Sequence, residues 1–138
     1  MALERALAIG EAIYGPDHPA VAAYVNNLGL ALRDFGDLLA AKAAFDRALA
    51  IDEATYGPDH PTLARDMNNL GLVLRDAGDL AGAKGVLNRA LHICERALGD
   101  SHPSTAMVRE NLATLVRSSG PPSSPKRRRR PFRRQPSA

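Results

Sequence analysis

The stretch from Ile9 to Ala50 is written again from Ile51 to His92, with 26 of 42 positions identical, and a weaker third copy runs from Ile93 to about Gly120. A period of that length restricts the fold to stacked supersecondary units, each unable to bury its apolar face alone. Neighbouring units then complete one continuous core and present an extended surface rather than a single enclosed cleft. The repeat thus points to a chain that works by holding something along its length.

The residue mixture agrees: 45% of the 138 residues are hydrophobic but only 4% are aromatic, with no Trp, which suits an Ala/Leu-rich helical array. Cys94 is the single cysteine and has no internal partner, so a reducing cytoplasmic compartment and an inert buried thiol are the expectation. No stretch approaches the ~20 apolar residues of a membrane span, and Glu4 stands early in the N-terminus. The formal net charge of +3 is unevenly placed. All fifteen acids precede residue 117, whereas seven of the eighteen bases lie between Lys126 and Arg134. The first 125 residues therefore carry 11 bases against 15 acids, a net −4, and the tail carries +7.

Within the repeat, Gly15-Pro16-Asp17-His18-Pro19 recurs as Gly57-Pro58-Asp59-His60-Pro61 and, altered, as Gly99-Asp100-Ser101-His102-Pro103. Each Gly can end a helix in the left-handed conformation, and the closing Pro suits the first turn of the next helix. Val21, Val25, Leu28 and Leu32 fall at helical spacing, Gly36-Asp37 breaks the chain, and Leu38, Ala41, Phe45, Ala48 and Leu49 resume the pattern. The reading is all-α: outer helices over 2–14, 38–56 and 80–98, and inner helices over 19–35, 61–77 and 103–118. Its organisation is an array over 1–118, made of a half repeat 1–14, full repeats at about 15–56 and 57–98, and a half repeat 99–118. Residues 119–138 follow as a disordered Pro/Ser/Arg-rich tail.

Leu28, Gly29, Leu32, Gly36, Ala41, Phe45 and Ala48, repeated as Leu70, Gly71, Leu74, Gly78, Ala83, Leu87 and Ala90, match the small-and-large pattern of the tetratricopeptide repeat. The 42-residue spacing, the Gly-Pro-Asp-His-Pro turn and the Asn-Asn-Leu element resemble the longer repeats of kinesin light chains in particular. The resemblance covers residues 1 to about 117. It departs at Val25 and Met67, where the generic repeat prefers an aromatic, and at Glu110, which breaks the Asn-Asn pair. It implies a right-handed α-solenoid whose inner helices line a concave groove for a protein or peptide partner.

Asn26, Leu30 and Arg33 lie at i, i+4 and i+7 on one helical face, and Asn68, Leu72 and Arg75 present the same set one repeat later. Glu110, Thr114 and Arg117 occupy the third set. The stripe suits an extended peptide, with Asn holding its backbone and Arg taking a carboxylate. Asn27, Asn69 and Asn111, the asparagines present in all three copies, either join that site or hydrogen-bond neighbouring helices and brace the stack. Arg33 and Arg75 each precede an Asp, so a solvated salt-bridging edge competes with ligand binding there.

His18, His60 and His102 recur at identical spacing, but successive repeats stand ~10 Å apart while zinc ligands converge at ~2 Å, so they read as turn residues and no metal is expected. Ala-Gly-Ala-Lys84-Gly lacks the glycine loop and Ser/Thr of a phosphate-binding loop. No catalytic constellation is evident, and the expectation is a non-enzyme without cofactor.

The tail joins a Pro/Ser linker to Lys126, Arg127, Arg128, Arg129, Arg130, Arg133 and Arg134. That block could serve as a nuclear-import signal, bind nucleic acid or an anionic surface with the helices as a dimerisation module, act as an intramolecular ligand for the net-acidic array, or be incidental. Finally, Met1 aligns with Ala43, so the array opens partway into an outer helix. A fragment of a longer array is expected, with self-association through the open end as the alternative.

Overall fold

The computed structural model describes residues 2–118, which form six helices: α1 (Ala2–Tyr14), α2 (Pro19–Asp34), α3 (Leu38–Tyr56), α4 (Pro61–Asp76), α5 (Leu80–Leu98) and α6 (Pro103–Ser118). Each packs antiparallel against the next in a right-handed α-solenoid. The inner helices α2 and α4 stop one residue earlier than their apolar spacing predicts. Phe35 and Ala77 serve as C-caps, ahead of Gly36 and Gly78 at φ of 86° and 88°.

Turn chemistry sets every helix start after α1. The Nδ1 atoms of His18, His60 and His102 accept the backbone N–H of Ala20, Thr62 and Ser104 at 3.0, 3.1 and 3.0 Å. The repeated histidine is thus a helix cap, satisfying one donor that the helix leaves unpaired. Tyr14 and Tyr56 stack on His18 and His60 with ring centroids 4.8 and 4.4 Å apart. Asp37 and Asp79 cap α3 and α5 through the N–H of Ala40 and Gly82. At the opposite ends of those helices, Gly57 and Gly99 have φ of 89° and 90° with ψ of 171° and 161°. This is not the left-handed helical conformation anticipated for a terminal glycine. It is an extended positive-φ geometry that essentially only glycine adopts.

Packing follows the small-and-large pattern. A Cβ placed on Gly29 would stand 2.8 Å from the Phe45 ring, and one on Gly71 would stand 2.7 Å from Leu87 Cγ. The glycines therefore let α2 approach α3, and α4 approach α5, while the large fully buried residue fills the space left. Burying a side chain such as Leu87 stabilises by roughly 1.5–3 kcal/mol, more than the ~1 kcal/mol that an interior glycine costs a helix. The core falls into three clusters, one around Val21, Val25 and Ile51, one around Phe45, Leu74, Leu87 and Leu115, and one around Leu63, Met67, Ile93 and Val108, with Leu49 and Val86 packing against both of the last two. No described helix is long and apolar enough to cross a membrane.

Candidate functional site

Among the described residues, the backbones of the inner helices approach in sequence, α2 against α4 and α4 against α6, whereas those of α1, α3 and α5 stand farther apart and are bridged only by long side chains, Arg47 to Glu11 at 2.6 Å and Arg89 to Glu53 at 3.7 Å. An array whose inner helices crowd together and whose outer helices are spread apart is concave on the inner side.

Side chains along this face join one inner helix to the next with an offset of 43 residues. Asn69 Nδ2 donates to Asn26 Oδ1 at 2.9 Å, and Asn111 Nδ2 donates to Asn68 Oδ1 at 2.9 Å. Arg33 Nε donates to Asp76 Oδ2 at 2.7 Å in the same offset. Asn26 and Asn68 are 6% and 5% exposed and act as acceptors in this amide ladder, while Asn69 and Asn111 remain half-buried and Asn27 is exposed. Each amide in a linked pair keeps further donor or acceptor capacity. Leu30 is exposed and Leu72 half-buried.

The guanidinium groups of the stripe already have carboxylate partners. Arg33 and Arg75 both hold Asp76, the latter at 3.3 Å. Burial opposes ionisation of Asp76, but the hydrogen bonds and charge of Arg33 and then Arg75 outweigh it and hold its carboxyl below the usual range. Arg117 pairs with Glu110 at 3.2 Å, and both also bond Thr114.

The second inter-repeat junction, between α4 and α6, opens into a cavity of about 460 Å³. Ala64, Leu72, Leu98, Met107 and Val108 give it apolar walls; Asn68, Asn69 and Asn111 supply amides, and Arg65 supplies a positive charge. Met107 stands 50% exposed at this surface. Of the sequence-derived site residues, the structure brings Asn68, Asn69, Leu72 and Asn111 together here, and it leaves Asn26, Asn27, Leu30, Arg33, Arg75 and Arg117 outside the cavity. Arg65 and Met107 were not anticipated. Extending the Asn68–Leu72–Arg75 stripe toward the helix start reaches Arg65 after one turn and Pro61 after two, and one period from Arg65 reaches Met107.

The first junction has different contents in the same register. Asp52 and Asp66 are both buried there, with Arg65 Nη2 at 3.4 Å from Asp52 and 3.2 Å from Asp66. Among the described residues, none donates a hydrogen bond to Asp66 Oδ2. Burial, followed by the neighbouring Asp52 carboxyl, pushes the Asp66 carboxyl up to about 7, with Arg65 opposing both. A proton on Asp66 lets it donate to Asp52 and relieves the like-charge contact. Across the array, Cys94 occupies the position equivalent to Asp52, and burial pushes its thiol up. The basic residues Lys126 to Arg134 lie outside the described residues.

The tetratricopeptide repeat family model matches residues 1–54, 22–96 and 67–122, which together span most of the chain. No curated protein matches significantly. Among solved structures, the chain is similar to the nearly identical TPR-like repeats of a Podosopora anserina protein named for kinesin light chain. The TM-score is 0.78 at 24% identity over 86% of this chain and 56% of that one. It is similar in equal measure to BtubC (BKLC) from P. vanneervenii, with a TM-score of 0.78 and 24% identity over 86% of this chain and 47% of that one. The chain thus spans about half the length of these structures, and the likeness is one of fold. With the repeat pattern, the helix pairing and the family model in agreement, the chain belongs to the tetratricopeptide repeat family.

Proposed function

We propose that this chain is an adaptor that binds an extended segment of another protein across its inner-helix face, anchored at the second junction. Tetratricopeptide repeats are protein–protein interaction scaffolds, which is the coarse part of the reading. The observation that carries the finer part is the cavity between α4 and α6, an apolar recess of about 460 Å³ edged by Asn68, Asn69 and Asn111. An extended peptide needs both features: a pocket for a side chain and amide groups that can pair with its otherwise unpaired backbone. The charged part of the stripe plays a smaller role in this account than residue type suggests. Arg33, Arg75 and Arg117 already hold carboxylates of the chain itself, so they steer and brace rather than anchor.

The test is selection of binding peptides from a random extended-peptide library on the full chain, followed by affinity measurement on Leu72→Asp and Met107→Glu. Met107 is exposed and Leu72 is only half-buried, so the helices should persist by circular dichroism. Placing a charge at an anchoring pocket should weaken binding at least ~30-fold, about 2 kcal/mol. Peptides that bind both variants as tightly as the parent would reject the groove.

A further inference from the structure

The cavity between α4 and α6 has a candidate occupant within the same polypeptide. We infer that residues 126–134 fold back over the inner-helix face, with Phe132 seated in the cavity, as an internal competitor for the partner. The inference rests on the groove reading above.

Three observations converge on it. From Ser119 to Ala138 the only bulky apolar side chain is Phe132, set between Arg130-Pro131 and Arg133-Arg134, and the cavity offers apolar walls for one such group. The charges are complementary: residues 1–125 carry 11 bases and 15 acids, a net −4, whereas the segment from Lys126 to Arg134 carries seven bases and no acid. Acids also stand beside the cavity lining. Asp59 is exposed two residues before Pro61, and Asp100 is exposed four residues before Ser104 with the Arg109 guanidinium no nearer than 4.0 Å to its carboxylate, whereas Glu110 is held by Arg117 and the cavity's own Arg65 is held by Asp52 and Asp66.

Reach is the third observation. The cavity meets α6 between Ser104 and Asn111, which lie roughly 10–21 Å along the helix from its end at Ser118. The fourteen residues from Ser118 to Phe132 can span at most about 46–50 Å, so the chain can turn back and still arrive at the cavity. A tethered ligand of this kind acts at an effective concentration on the order of millimolar. A partner must therefore displace it, and the apparent affinity of the groove falls in proportion.

The chain contains no Trp, so Phe132→Trp in the full-length protein places a single reporter at the inferred anchor. Its emission should be blue-shifted and shielded from acrylamide relative to a synthetic 119–138 peptide carrying the same substitution. Dilution should leave the signal unchanged, and adding Met107→Glu should return it to the free-peptide value. Phe132→Ala should raise the affinity for a groove-selected peptide about tenfold. A solvent-exposed indole would overturn the inference, as would shielding that fades on dilution or shielding that appears only on adding an oligonucleotide. The groove reading fails separately: it stands if a selected peptide still loses binding in Met107→Glu while the reporter indole of Phe132→Trp stays exposed. It falls if no such peptide exists.

Discussion

The two junctions between successive inner helices share one register and hold opposite chemistry. Gly10, Asp52 and Cys94 are equivalent positions, as are Tyr24, Asp66 and Val108, and as are Ala23, Arg65 and Met107. At the N-terminal end, Tyr24 fills the space above Gly10, whose added Cβ would stand 2.7 Å from the ring. At the first junction the pair becomes Asp52 and Asp66 under the Arg65 guanidinium. At the second it becomes Cys94 and Val108 beside Met107, and the surface there opens into the cavity. The repeat keeps its helix-to-helix approach fixed through Gly29 and Gly71 while the side chains between repeats vary freely. Scaffold and specificity are thereby carried by different positions of the same 42-residue unit.

The sharpest way to break this contrast is to move the chemistry of one junction into the other. Val108→Asp places a carboxylate at a 2% exposed site where the position equivalent to Arg65 is Met107. It should cost about 3 kcal/mol or more near neutral pH, read as a fall in urea midpoint. The reciprocal experiment removes the acid from the first junction. Because the folded-state pKa of Asp66 is raised, to about 7 from 3.8, its favourable contribution is complete below 3.8 and is lost as pH rises toward 7. Asp66→Asn keeps a donor for Asp52 without that loss. Its stability relative to the parent should improve by about 3 kcal/mol between pH 4.5 and pH 8, and a pH-independent difference would remove the shared-proton account.

Smaller effects test what the junctions have in common. Gly29→Ala and Gly71→Ala each force a Cβ against Phe45 or Leu87, and each should cost about 2 kcal/mol despite the better helix propensity of Ala. A Gly71→Ala change that became harmless in a Leu87→Ala background would confirm that the contact, not the backbone, is responsible. Least of all, Arg33→Ala should cost under about 1 kcal/mol, since its bond to Asp76 is partly solvated.

The helix pattern was legible because the determinants are local. Gly-Pro-Asp-His-Pro and Gly-Asp mark the ends, and apolar spacing marks the faces, so five of the six helix starts and the alternation of inner and outer helices follow from neighbours in sequence. What stayed hidden depends on residues distant along the chain. Arg33 precedes Asp34 but bonds Asp76, 43 residues away, because stacking brings the end of α2 beside the end of α4. The Asn26–Asn69 and Asn68–Asn111 pairs have the same offset, which a strict 42-residue comparison does not bring into line. Asp52 and Asp66 carry no sequence signal that sets them apart from other acids, and only the packing of α3 on α4 puts them together out of water. The cavity was hidden for a related reason: two residues of its lining, Met107 and Val108, stand where the preceding copy has Arg65 and Asp66, so they belong to no repeated motif.

The central claim is that the face of α4 and α6 at the second junction is where a partner docks. Amide chemical-shift mapping of the full chain, titrated with a library-selected peptide, tests it most directly. The account predicts that the largest shifts fall on Arg65, Asn68, Leu72, Met107 and Asn111, with the outer surfaces of α1, α3 and α5 unmoved. Shifts concentrated on those outer helices, with Met107 and Asn111 unchanged, would contradict it.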